Sequence, residues 1–289
     1  MNPAVVAIVV NYNTGALLRR AVDSLLAGSV KPAVEIVDNA STDESAGSIH
    51  EDPVYEGRVS ITLNERNLGF AKANNQILRQ GDAQYYLLMN PDCVLEQDAI
   101  REFVAYMEGN PEVGLAGGAL KNPDGTIQKT SKRLFPTPWS SLARTLGLHR
   151  LQMGGALSDF DLASRETPGE GAGPAEAISG ALMFVRGAAL SEVGLLDEGY
   201  FMHCEDLDWC RRFWDTGFQV AYVPSAGAVH LKGGSGRGPR VVWHLHRGMA
   251  RFYHKHYQKD YPAVFSALVY AGIYARCIGL MAWSLVKGR

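Results

Sequence analysis

Cysteine is scarce: Cys93, Cys204, Cys210 and Cys277 are the only four in 289 residues, and none forms a C-x-x-C pair. That spacing excludes a zinc finger and argues against a disulfide framework, so a reducing compartment is expected. The opening MNPAVVAIVVNYN lacks the basic start, long apolar region and small-residue cleavage site of a signal peptide. We therefore expect a cytoplasmic protein that begins with a strand. VVNYNTGALL contains no G-x-G-x-x-G turn, which excludes a dehydrogenase on a Rossmann sheet. A glycine-rich first loop with a basic residue, usual in nucleotidyltransferases, is missing too. Acids are nearly absent from one region only. Residues 231–289 carry ten Lys/Arg and a single acid, Asp260, for a net +9, which leaves −11 on residues 1–230. Such a split implies different partners for the two parts, and the acidic body argues against nucleic acid.

What is present is ordinary globular composition, 46% apolar and 20% charged, over enough chain for one large domain or two small ones. Apolar runs alternate with helical patterns. AVVAIVVN reads as a strand, and GALLRRAVDSLLAG as a helix with Leu18, Val22, Leu25 and Leu26 on one face and Gly28 as its stop. The pattern then predicts strand AVEIVD, a helix starting near Ser41, strand VSITL, a helix over 69–79 and strand YYLLM. Helix AIREFVAYMEG, capped by Asp98, and strand VGLAGGAL follow. This alternation implies an α/β fold, a mainly parallel sheet flanked by helices on both faces. Ligands bind at the carboxyl ends of such strands, so the polar residues just after each run are the ones to test. Residues 153–176, rich in Gly, Ala, Ser and acids, read as a mobile loop within a domain spanning 1–238.

Five constellations carry candidate chemistry. YYLLMNPDCVL runs a strand into Asn90, Pro91 and Asp92. Proline ends the ladder, so Asp92 faces out from a rigid strand end, although Asn-Pro-Asp is also good turn chemistry. VDNASTDES sets Asp38 and small polar residues at a helix start suited to ribose hydroxyls or phosphate, or to an Asx turn with an N-cap. In NERNLGFAKANN, Asn67, Lys72, Asn74 and Asn75 crowd a helix start, and Lys72 opposes the macrodipole; an anionic ligand would offset both, the alternative being a solvated helix start. Glu205, Asp206 and Asp208 in MHCEDLDWCRR exceed what capping requires and read as a site for a base or a cation. His230 precedes a glycine run with Lys232 beside it, in either a structural or a phosphate-facing role.

VVNYNT, VDNASTD, NLGFAKANN, LLMNPDCVL, SGALMFVRGAAL, GLLDEGYFMHCEDLDWCRR and HLKGGS stand in that order over residues 5–235. Together they resemble the inverting nucleotide-sugar glycosyltransferases of family 2, in particular the rhamnosyltransferase-like branch that builds surface polysaccharides. The resemblance implies a GT-A fold and transfer of one sugar from a nucleoside-diphosphate donor, dTDP-rhamnose by branch, to a hydroxyl of a glycan or lipid-linked acceptor. It implies that Asp38, with the backbone around Asn11 and Tyr12, binds base and ribose, and that Asn67, Lys72 and Asn74 line the same pocket. Asp92 would be the surviving acid of the D-x-D motif, bridging Mg²⁺ or Mn²⁺ to the diphosphate, with His230 as a further ligand. Asp206 would be the general base, with Glu205 and Asp208 orienting it or binding the acceptor. Two departures matter. Asn90 replaces the first acid of D-x-D, a weaker metal ligand, and the Q-x-x-R-W motif of processive synthases is missing, which favours single addition. The alternatives are a non-catalytic nucleotide-sugar or carbohydrate-binding subunit, or another nucleotide-sugar enzyme.

Residues 239–289 form a basic, aromatic helical tail. Its stretch 263–286 has Arg276 as the only charge and is long enough to span a bilayer. Arginine at the centre of a span costs about 2.5–3.5 kcal/mol, which an interfacial or protein-packed helix avoids. The preceding WHLHRGMARFYHKHYQKDY suits anionic headgroups. The tail thus packs on the body or on a second copy in a homodimer, or attaches the chain peripherally to the inner face of the cell membrane, with a true span as the third reading.

Overall fold

The computed structural model describes residues 5–81, 83–138, 171–231 and 238–287. Its first half alternates β1 (Val5–Asn11), α1 (Ala16–Ala27), β2 (Ala33–Asp38), the one-turn α2 (Gly47–His50), β3 (Val59–Leu63), α3 (Phe70–Leu78) and β4 (Tyr85–Met89). β5 (Cys93–Leu95), α4 (Ala99–Gly109), β6 (Val113–Lys121) and β7 (Lys132–Arg133) follow. After the undescribed stretch come β8 (Gly173–Pro174), β9 (Ala177–Ile178) and β10 (Leu182–Arg186), a helical turn Leu190–Val193, an acidic helix Glu205–Asp215 and β11 (Gln219–His230). Two tail helices, Pro239–His256 and Ala263–Lys287, complete the described chain.

The main sheet runs β3-β2-β1-β4-β10-β6-β11-β5, with β8 on the free part of β11. β1 to β4 are mutually parallel, as the strand–helix alternation requires. β10 then enters antiparallel between β4 and β6, so the sheet is mixed and its parallel block covers one half. Two apolar layers form on its faces. One gathers Leu18, Val22 and Leu25 of α1 with Phe103 and Met107 of α4. The other gathers Ile77 of α3, Trp209, Cys210 and Phe213 of the acidic helix, and Phe252 of the first tail helix. Each such large side chain contributes about 1.5–3 kcal/mol by leaving water. β4 is buried along its whole length, which explains its unbroken apolar run.

Three local expectations need correction. The helix expected near Ser41 starts only at Gly47, because Ser41 and Ser45 are held in turns by the carboxylates of Asp38 and Asp43. Asp98 occupies the N-cap of α4 but makes no capping bond; its carboxylate pairs with Arg101 at 3.1 Å. Of the expected mobile loop 153–176, residues 153–170 lie outside the described residues, whereas Gly173–Pro174 pairs with β11 and Ala175 N–H donates to Val220 O at 2.8 Å.

Candidate active site

The carboxyl ends of β1 and β2 lie side by side, with Asn11 opposite Asp38 in the parallel register. Asn11 is fully buried, and its Nδ2 donates to Asp38 Oδ1 at 2.6 Å and Ser45 Oγ at 2.8 Å. The backbone N–H and hydroxyl of Ser41 donate to Asp38 at 2.9 and 2.6 Å. These bonds fix the carboxylate at the strand end, while Tyr12 beside it is about half exposed. Asn13 and Ala40 adopt left-handed φ of 53° and 61°, an uncommon conformation for residues with a side chain, so the backbone bends sharply on both sides of this cradle. Asn39, which the sequence patterns do not single out, ties the cradle to the next loop: its Oδ1 accepts from Asn64 Nδ2 and Leu68 N–H. In that loop Asn67 turns on itself, accepting from Gly69 N–H at 2.9 Å. Lys72 is half exposed and 4.0 Å from Glu198, and the Oδ1 of buried Asn74 meets no hydrogen-bond partner among the described residues.

Asp92 follows β4 and sits 3.2 Å from Nε2 of His230, the last residue of β11. The antiparallel pairing of β11 with β5 places His230 opposite Cys93, which explains the approach of two residues far apart in sequence. Gln128, buried and unforeseen, faces Nδ1 of His230 at 3.1 Å. With Nδ1–H donated to Gln128 Oε1, the Nε2 lone pair is aimed to the Asp92 side. Cys93 Sγ lies in the same cluster, but burial, with the Asp92 charge adding, pushes its thiol well up, so it stays protonated and is a poor ligand. One carboxylate and one imidazole leave the remaining positions to phosphate and water oxygens, a donor set that fits Mg²⁺ or Mn²⁺.

The acidic helix starts after two consecutive left-handed residues, His203 at φ 67° and Cys204 at φ 68°. Backbone strain of this kind, on the order of 1–3 kcal/mol per residue, persists only where the surroundings over-determine it. It sets Glu205 and Asp206 at the helix N-terminus. Asp206 Oδ2 accepts from Gly180 N–H at 2.9 Å and pairs with Arg133, and its Oδ1 accepts from Leu207 N–H. Burial alone would raise this carboxyl; Arg133 and the two amides outweigh it and hold the group below the usual carboxylate range. Glu205 is the opposite case. Burial, reinforced by the Asp206 charge, pushes it up, and its Oε2 has no hydrogen-bond partner among the described residues. Arg133 comes from the two-residue β7, positioned by the pairing of β7 with β9.

Asp208, expected to face an acceptor, does not. Its side chain has no accessible surface and is consumed by Arg212 Nε at 2.9 Å, Lys255 Nζ at 2.7 Å and His256 Nε2 at 2.8 Å. Residues two apart on a helix point to different sides, which separates Asp208 from Asp206. The role found for Asp208 is to bind the first tail helix to the body. Arg251 reinforces this with a bidentate pair to Asp197, and Phe201 stacks on His244 at 4.3 Å. Gly248 allows the close approach, since a Cβ there would lie 2.7 Å from His203 O.

Backbone bonds draw the pieces together. Asn90 N–H donates to Ala181 O at 3.0 Å, and the adjacent Gly180 donates to Asp206, so the turn 179–181 links the Asp92 loop to the acidic helix. Phe70 N–H donates to Phe201 O at 2.8 Å, linking the Asn67 loop to the segment before that helix. Gly69 is required at this contact: its φ is +83°, and a Cβ would lie 2.3 Å from Phe201 O.

Comparisons with known proteins bear on the family and the fold. Residues 6–162 match the profile "Glycosyl transferase family 2". The chain is 29% identical over 257 residues to the N-acetylglucosaminyl-diphospho-decaprenol L-rhamnosyltransferase of Mycobacterium tuberculosis, covering 83% of this chain and 80% of that protein. It is 26% identical over 196 residues to rhamnosyltransferase WbbL of Escherichia coli K12, covering 61% of this chain and 67% of the relative. Among solved structures, the mannosyltransferase PcManGT of Pyrobaculum calidifontis with GDP-Man and Mn²⁺ superposes with a TM-score of 0.60 at 17% identity, covering 99% of this chain and 75% of that one. GalNAc-T7 with UDP, GalNAc and Mn²⁺ gives 0.62 at 16% identity, over 88% of this chain and about half (48%) of the other. These likenesses establish the GT-A fold.

Proposed function

Because the chain belongs to glycosyl transferase family 2, we propose that it moves a single sugar, with inversion, from a nucleoside diphosphate to a hydroxyl of a lipid-linked glycan. The likeness to two rhamnosyltransferases favours dTDP-rhamnose as donor, and the acceptor class follows the diphospho-decaprenol named for the mycobacterial relative. The observation that carries the reading is the pairing of Asp92 with His230, joined through the turn 179–181 to Asp206 with its Arg133.

In this reading the strand-end cradle of Asp38 with the Asn11 and Tyr12 backbone holds base and ribose, and Asn67, Lys72 and Asn74 flank the diphosphate side. Asp92 and His230 would hold Mg²⁺ or Mn²⁺, which stabilises the charge growing on the leaving diphosphate. Asp206 accepts the proton of the acceptor hydroxyl as its oxygen attacks the anomeric carbon from the face opposite the diphosphate. The new bond to the acceptor oxygen forms as the bond to the diphosphate oxygen breaks. Arg133 keeps Asp206 ionised, and Glu205, protonated beside it, donates a hydrogen bond to the acceptor. The second tail helix exposes Val264, Leu268, Ile278 and Trp283 and lays this apolar face on the cytoplasmic membrane surface. A second copy of the chain would be the competing cover, and the sedimentation mass in detergent-free buffer separates the two.

The test is calorimetric titration with UDP, dTDP and GDP, each with and without Mg²⁺ or Mn²⁺, on the parent and on Asp92→Ala. One nucleotide is expected to bind with metal only, and Asp92→Ala to abolish that dependence. Failure of every nucleotide to bind would overturn the assignment.

A further inference from the structure

Between the acidic helix and the two tail helices lies a cavity of about 510 Å³, within the range of small-molecule sites. Its polar end is formed by Arg133, Glu205 and Asp206, and its walls by apolar side chains of the tail such as Met249, Phe265, Val269 and Ile273. We infer that this cavity receives a sugar joined through phosphate to an apolar chain, with the sugar at Glu205 and Asp206 and the chain along the second tail helix. The inference rests on the transferase reading and adds to it a specific seat for the lipid, where simple adhesion to a membrane would need none.

Three independent features point to such an occupant. First, Glu205 Oε2 is buried at the polar end with no partner among the described residues, and a hydroxyl-bearing ligand satisfies it. Second, the wall carries a cation in an otherwise apolar helix. Arg276 lines the cavity, lies 3.4 Å from His246 and pairs with no carboxylate among the described residues, and that imidazole is held down by burial and by the Arg276 charge. Arg276, exposed at the rim, is thus a cation without a carboxylate partner among the described residues and is placed to meet phosphate. Third, a Cβ on Gly272 of the same wall would meet nothing within 4 Å, so the wall is open where a chain would lie.

Farnesyl diphosphate is a suitable probe, titrated into the parent saturated with nucleotide and Mn²⁺ so that the donor site is filled. Binding is expected, at least tenfold weaker in Gly272→Trp, which fills the open wall, and severalfold weaker in Arg276→Gln. Gly272→Ala should bind as the parent does, and inorganic diphosphate should show no dependence on residue 272. Ile278→Ser, on the exposed face, should leave binding unchanged. No binding, binding unaffected by Gly272→Trp, or binding lost in Ile278→Ser would each overturn the inference; the last would mean adsorption to the outer face. If nucleotide and metal still bind in that event, the transferase reading survives alone. If farnesyl diphosphate binds as expected while no nucleotide does, the cavity stands and the transferase reading falls.

Discussion

The two ends of the proposed site balance their buried carboxylates by different means. The proposed donor end rests on strand termini where neutral donors fix one carboxylate, as Asn11, Asp38 and Ser41 illustrate, with left-handed backbone at Asn13 and Ala40. The proposed acceptor end has left-handed backbone too, at His203 and Cys204, but adds a Glu205 oxygen with no partner among the described residues and a buried Asp206 whose charge is balanced by an arginine from a distant strand. In this reading a donor with a constant nucleotide asks for a rigid carboxylate fixed by neutral bonds. An acceptor end that must take up a proton and a variable glycan has polar groups left to be completed by the ligand.

Substitutions can break this contrast. The largest effect is expected from Asp206→Asn, which should lower kcat about 10²–10⁴-fold while nucleotide affinity, measured by calorimetry, stays unchanged. Arg133→Met should follow, because it leaves Asp206 charged and buried; thermal or urea unfolding should show a loss of about 3–5 kcal/mol. The Asp206 pKa should also rise without Arg133, moving the acid limb of the kcat/KM profile to higher pH. Asp208→Ala should cost about 3 kcal/mol by removing the buried carboxylate that Arg212, Lys255 and His256 share, with a greater rise in hydrogen exchange in the first tail helix than in β1 or β2.

The smallest effect sharpens the comparison. Glu205, with its carboxyl pushed up to about 8, should give an alkaline limb near that pH, and Glu205→Gln, which keeps a donor, should remove the limb while changing the rate at neutral pH far less than Asp206→Asn does. The linked stability has a definite sign. A carboxyl raised on folding favours the native state at low pH, and this contribution is lost between the unfolded pKa, about 4.3, and about 8. The Gln variant should therefore gain stability relative to the parent as pH rises through that window.

The difference between the two ends also sets what the sequence reveals. Strand, polar residue and turn are contiguous at Asp38 and Asp92, so both positions are visible from apolar runs that stop. Arg133 stands 73 residues from Asp206 in a two-residue strand with no periodic pattern, and only tertiary pairing joins them. Gln128 is likewise 102 residues from His230. The left-handed pair His203 and Cys204 carries no glycine to announce it. Asp208 was readable in principle: its spacing from Asp206 puts the two on different sides of the helix, and the acid count alone conceals this. The antiparallel entry of β10 was hidden for a similar reason, since the apolar pattern of a buried strand carries no direction.

The docking of the first tail helix makes a practical point about modularity. Phe252 belongs to the core beneath the sheet, and Arg251, Lys255 and His256 hold the segment 197–208 in place. An expression boundary drawn after Gly238, the natural choice for discarding the apolar tail, would remove part of the body's core along with it. Trimming for solubility should instead begin beyond Tyr261, where the second tail helix starts.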